Sequence, residues 1–138
     1  MSLPFVIDAS LALNWCFEDE VTLDTKRVMS SLETTYAIAP SFFALELQNG
    51  LCMAERRSRI TAPQSNEIWR RLQVFDIRLA SSTTLSKRAI LVELARISGL
   101  AVYDAAYLEL AEQTGLPLAT LDEKLCKAAV ARQVVLLP

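Results

Sequence analysis

Asp8, Glu46, Asp104 and Asp122 are the residues of this 138-residue chain best suited to do chemistry together. Asp8 ends the apolar run LPFVID, and Asp122 ends LPLATLD. Asp104 lies in GLAVYDAAYLELA, residues 99–111, which otherwise reads as an apolar helix suited to burial. Glu46 lies in FFALELQNGL, between Leu45 and Leu47. A buried carboxylate without a partner is strongly unfavourable. Either each acid caps a helix, or something positive stands opposite. Taken singly, capping accounts for Asp8, Asp104 and Asp122, since Asp is a preferred N-cap. It does not account for Glu46, a turn into its helix, where the alternative is a solvent-facing position. Taken together, four acids on one rim would raise one another's pKa. A hard divalent cation, Mg2+ or Mn2+, removes that conflict with oxygen ligands and retained waters. Such an ion lowers the pKa of a bound water and stabilises charge on a phosphoryl oxygen.

Histidine is absent. That excludes Ser-His-Asp and Cys-His catalysis of the usual kind and histidine-bound metals. Hydrolysis would have to rest on carboxylates, hydroxyls, Lys or Arg. Cys16, Cys52 and Cys126 are few, odd in number and far apart. This argues against a disulfide framework and a zinc site, and each is expected at a helix core position. A formal charge of −2 excludes nucleic-acid binding by bulk positive charge. No apolar run reaches the ~18 residues of a membrane span, and no basic-then-apolar leader opens the chain. A cytoplasmic protein without membrane contact is therefore expected. Hydrophobic residues make up 52%, above the ~45–50% usual in such domains. The surplus points to covered surfaces: a self-association face, a partner groove, or both.

Elements must position the acids. Apolar runs predict strands at Leu3–Asp8, Tyr36–Pro40, Asp76–Ala80, Leu116–Asp122 and in the closing VVLLP. Helical spacing predicts helices over 9–17, 19–33, 41–59, 61–75, 82–99, 99–111 and 123–132. Ser41 is a candidate cap and Gly99 a candidate helix stop. Val102, Tyr103, Ala105 and Ala106 are expected to anchor the start of the Asp104 helix on the sheet. Continuous apolar strands alternating with helices describe a parallel sheet covered on both faces. The expected architecture is one domain over 1–138: an α/β, three-layer α/β/α sandwich with a central, mostly parallel sheet of about five short strands. Ligands of such sheets bind beyond the carboxyl ends of the strands, the rim where Asp8 and Asp122 fall. All four acids can face that rim if the strands bearing Asp8 and Asp122 are neighbours.

FVIDASLALNW, PSFFALELQNGL, YDAAYLELAEQTGLPLATLDEKL and the closing VVLLP together resemble a PIN domain. More narrowly, they resemble the VapC-type toxin ribonucleases of bacterial toxin–antitoxin pairs, from Phe5 to Leu137. The resemblance implies an intact metal-binding acidic site of Asp8, Glu46, Asp104 and Asp122, with Ser10 and Thr120 as nearby hydroxyls. It implies Mg2+ or Mn2+ as cofactor and RNA as substrate, cut to leave 5′-phosphate and 3′-hydroxyl ends. It also implies a homodimer, and a small antitoxin of a type II system whose C-terminal segment blocks the site.

On this view Asp8 and Asp104 contact the metal, while Asp122 and Glu46 hold metal-bound waters or a second ion. Ser10 and Thr120 would hydrogen-bond an acid or a phosphate oxygen, or serve as turn hydroxyls. Asn49 could orient Glu46 from i+3, or simply face solvent. Lys124 and Lys127, just past Asp122, and Arg56 and Arg57, at the end of the Glu46 helix, could meet RNA phosphates. A solvated helix end is the alternative for each arginine. FFALELQNGLCM and DTKRVMSSL carry more large apolar groups than one face needs, as an antitoxin groove and a dimer face would. Two rivals remain. An aspartyl phosphohydrolase would suit Asp8 at a strand end, but Ser10 stands where its D-x-D-x-T pattern needs a second acid. A non-catalytic RNA- or protein-binding module would scatter the acids as separate caps.

Overall fold

The computed structural model describes residues 3–81 and 86–138. Five strands stand among them: β1 Phe5–Ile7, β2 Ala37–Ala39, β3 Ile77–Leu79, β4 Leu118–Ala119 and β5 Leu136–Leu137. All pair in parallel, in the order β3-β2-β1-β4-β5. The strand nearest the N-terminus is therefore central. Phe5, Val6 and Ile7 are fully buried, as a parallel strand covered on both faces requires.

The helices are α1 Ala9–Cys16, α2 Leu23–Ser31, α3 Phe43–Arg56, α4 Ala62–Leu72, α5 Arg88–Ser98, α6 Val102–Thr114 and α7 Glu123–Ala131. One group packs α1 on α2 and α3, and α3 on α4. The other packs α5 on α6, and α6 on α7 and β1. The chain steps from β1 to β3 in one direction, then crosses back to β4 and β5. Right-handed crossovers in opposite directions put the two groups on opposite faces, which makes the expected three-layer α/β/α sandwich.

Local chemistry moves several boundaries from those expected. The helix expected over 19–33 begins only at Leu23, because Thr22 and Thr25 form a reciprocal cap with bonds of 3.1 and 2.9 Å. Ser41 does not cap α3; Phe42 holds that position without a side-chain bond. Gly99 does end α5, in the left-handed region at φ 68, which glycine enters without steric cost. The next helix therefore starts at Val102 rather than Gly99. Of the helix expected over 82–99, residues Ser82–Leu85 lie outside the described residues. Cys52 is exposed, against the expectation of a core position, whereas Cys16 and Cys126 are half-buried. The buried stripe of α3 is Phe43, Leu47, Leu51 and Ala54, which leaves position 52 on its outer face.

Candidate active site

The site begins where β1 and β4 end side by side. The backbone N–H of Asp8 donates to the Ala119 carbonyl at 3.1 Å. The Asp8 carboxylate, only 4% exposed, then receives three bonds. Ser10 Oγ and the Leu11 N–H donate to Oδ1 at 2.6 and 3.2 Å, and Thr120 Oγ1 donates to Oδ2 at 2.7 Å. Both hydroxyls are fixed in turn. The Leu121 N–H donates to Ser10 Oγ and the Asp122 N–H to Thr120 Oγ1, each at 3.0 Å. This closed network joins two strand ends 112 residues apart. Asp8 caps α1 through Leu11, and Asp122 caps α7 by accepting from the Leu125 N–H at 2.9 Å. Both are caps and rim acids at once.

Glu46 and Asp104 arrive from the helices. Phe42, at the start of α3, makes edge-on contacts with Tyr103 and Tyr107 of α6, with ring centroids 5.5 and 5.6 Å apart. Such aromatic pairs fix geometry as well as burying area. They bring the first turn of α3, carrying Glu46, to the first turn of α6, carrying Asp104. Tyr107 then donates its hydroxyl to Glu46 Oε1 at 2.5 Å. Asp104 is not a cap. Ala101 holds that position without a side-chain bond, and no hydrogen bond to the Asp104 carboxylate is found among the described residues. Ala105 and Ala106 are buried beneath it as expected. Val102 and Tyr103 are not: they stand 45% and 63% exposed.

The acids act on one another. Burial raises the Asp8 carboxyl above its usual range, its hydrogen bonds oppose that, and the charge of Asp122 raises it further. Burial likewise raises Glu46; the Tyr107 bond opposes, and Asp104 and Asp8 add to the rise. Asp104 is raised by burial and then by Asp122, with Lys124 pulling the other way. Every acid of the four is thus electrostatically coupled to at least one other. Tyr107 stays a donor, since burial and the Glu46 bond push its hydroxyl pKa far up.

Asn49 does not orient Glu46. It is exposed, and among the described residues no hydrogen bond joins the two. Tyr107 does that work, a residue the sequence analysis missed although it sits at i+3 from Asp104 in YDAAY. Lys124 lies near enough to act on Asp104; Lys127 is a turn further along α7, in a groove with Gly99 and Arg132. Arg56 and Arg57 stand about three turns beyond Glu46. Among the described residues Arg56 reaches only Met53 Sδ, at 3.7 Å, and Arg57 lines a cleft that starts at Ser10.

The sequence model of the PIN domain matches residues 5–131. The chain belongs to the PIN domain family. PIN domains are generally nucleases and typically use a divalent metal. Two solved structures share the fold. The crystal structure of PAE2754 from Pyrobaculum aerophilum is 23% identical, with a TM-score of 0.68 over 93% of this chain and 87% of that one. That of FitAcB from Neisseria gonorrhoeae is 18% identical, with a TM-score of 0.66 over 99% and 97%. A comparison with curated proteins gave no significant match.

The donors of this PIN domain suit a hard cation. They are carboxylates and hydroxyls, with no histidine or thiolate required. Among the described residues no three His, Cys, Asp or Glu side chains stand close enough to ligate one ion together. The fit is therefore to an ion held directly by one or two carboxylates, with water completing its shell, as Mg2+ is commonly held. Among the described residues no helix is long and apolar enough to cross a membrane.

Proposed function

We propose that this PIN domain, residues 1–138, is a Mg2+- or Mn2+-dependent endoribonuclease and the VapC-type toxin of a type II toxin–antitoxin pair in the cytoplasm. The observation that carries the proposal is Asp104. Its carboxylate is half-buried, makes no hydrogen bond among the described residues, caps nothing and faces the charge of Asp122. A scattered set of caps does not produce such a group; a metal ligand does. A bound divalent ion would supply an acidified water and neutralise charge on the scissile phosphate.

The remaining roles belong to the chain's own residues. Asp8 and Asp104 would contact the ion directly. Asp122 and Glu46 would hold its waters, or a second ion. Ser10 and Thr120 orient Asp8 through the bonds described above, and Tyr107 orients Glu46; such partners hold ligands in productive geometry. Lys124 and Lys127 would meet RNA phosphates along α7, with Arg56 and Arg57 as a second basic edge. The exposed apolar groups Leu45 on α3 and Tyr103 on α6 would serve contacts with a second copy or with an antitoxin. The test is cleavage of RNA. It should require Mg2+ or Mn2+, stop with chelator and vanish in Asp8→Asn and in Asp104→Asn. Unchanged cleavage in both variants would sink the assignment.

A further inference from the structure

A cleft adjoins the acidic rim on the Asp8 side. It lies between α1 and α3, encloses about 340 Å3 and begins at Ser10 and Leu121, whose hydrogen bond borders Asp8. Leu13, Phe17 and Met53 give it apolar walls. The helices approach this closely because position 50 is glycine: a Cβ there would meet Leu13 Cδ1 at 2.5 Å.

Asn14 also lines the cleft and is only 9% exposed. Its Nδ2 donates to the Glu20 carbonyl at 2.8 Å, but its buried Oδ1 has no hydrogen-bond partner among the described residues. An unsatisfied buried carbonyl is unfavourable, and a donor from a ligand removes that penalty. Two arginines stand at the outer end, and they differ. Arg59 is already engaged, 4.0 Å over the Phe17 ring and paired with Asp19 at 2.8 Å. Arg57 is exposed and makes no ion pair among the described residues.

The volume lies near the lower end of small-molecule sites, about 300–1,000 Å3. That suits one ring system and its sugar rather than a docked helix. Apolar walls suit a flat ring, the unpartnered acceptor suits an N–H edge, and the unengaged guanidinium suits a phosphate. We propose that this cleft is a base subsite. It takes one unstacked nucleobase of the RNA beside the bond that is cut, with the Asn14 side chain turning its buried, unpartnered oxygen out to the base edge and Arg57 meeting an adjoining phosphate. The inference rests on the ribonuclease reading of the acids. Sequence-selective recognition of RNA commonly works on single-stranded bases splayed out in this way.

Two variants reshape the cleft and leave every acid in place: Gly50→Ala, whose Cβ collides with the Leu13 side chain in its wall, and Met53→Trp, which fills it. Thermal melts confirm that each is folded. The products of a randomised single-stranded RNA are then sequenced. Wild type should prefer one base at one fixed position beside the cut by about fivefold or more, the scale of a hydrogen bond. Both variants should lose that preference while still cutting in Mg2+. Without metal, titration with the four nucleoside 5′-monophosphates should shift the Asn14 side-chain amide signals of wild type and leave those of Met53→Trp unmoved. An unchanged preference in both variants, or an Asn14 amide that no nucleotide shifts, overturns the base subsite and leaves the nuclease reading standing. Variants that keep the preference but lose a partner protein assign the cleft to that protein, and overturn it too. A wild type that cuts no RNA overturns the nuclease reading and this inference with it.

Discussion

The two sides of the acidic rim are built on opposite principles. Asp8 stands at the junction of β1 and β4 and accepts three hydrogen bonds, from donors that are themselves held. Asp104 stands on the first turn of α6 and accepts none among the described residues. Asp8 stands between a strand and a helix, so the hydroxyls of Ser10 and Thr120 and the Leu11 N–H of α1 can orient it in advance. Asp104 lies inside α6 rather than ahead of it, and among the described residues none of the free first-turn N–H groups of that helix donates to its carboxylate. One acid is thus fixed by the protein, and the other has no hydrogen-bond partner among the described residues.

Substituting these two residues tests that contrast most sharply. Asp8→Asn and Asp104→Asn should both abolish metal-dependent cleavage, yet their metal-free stabilities should diverge. Asp8→Asn breaks the match of acceptors to donors and should destabilise by roughly 1–3 kcal/mol. Asp104→Asn removes a desolvated, repelled charge and should leave the melting temperature unchanged or raised. Equal losses in the two variants would erase the distinction.

Next in size are the orienting residues. Tyr107→Phe, which releases Glu46, and Thr120→Val, which releases one oxygen of Asp8, should each lower metal affinity or activity about 10- to 100-fold. This is checked by Mg2+ titration of the cleavage rate. If neither variant moves the Mg2+ dependence, these bonds serve folding alone.

The pH dependence of the metal-free protein sharpens the same point. Burial holds the folded carboxyls of Asp8, Glu46 and Asp104 above the ordinary carboxylate range. Between its unfolded and folded pKa, each group holds more proton in the folded state. Its stabilising contribution is complete below the unfolded value and is lost as pH rises through the folded one. In chelator, the melting temperature of Asp104→Asn relative to wild type should therefore climb from about pH 4 towards neutrality. Saturating Mg2+ should reverse the order by stabilising wild type, by about 2.7 kcal/mol at a hundredfold excess over Kd. The smallest effect belongs to Asn49→Ala. An exposed residue that makes no bond to the site among the described residues should stay within about 0.5 kcal/mol in stability, with cleavage unchanged.

The order of strands and helices was legible in the sequence because apolar runs and helical spacing report burial locally. Asp8 and Asp122 were legible too, each closing an apolar run just before a helix. Boundaries were less so. The delayed start of α2 depends on the mutual bonds of Thr22 and Thr25, and the delayed start of α6 depends on Gly99 entering the left-handed region. Tyr107 escaped notice because its hydroxyl meets an acid 61 residues away. Asn49 drew notice because i+3 spacing is a local rule, and the local rule lost to a tertiary contact.

By itself, then, the sequence determined the residue types at the rim: carboxylates and hydroxyls without histidine, on the carboxyl edge of a parallel sheet. It did so because residue types and periodicity are local properties. Only the tertiary structure decided which acids are caps and which is left unpaired. Placing β1 beside β4 let Thr120 lock Asp8, and packing Phe42 edge-on against the tyrosines of α6 brought Glu46 to Asp104. Those outcomes depend on pairing across more than sixty residues, which no local pattern encodes.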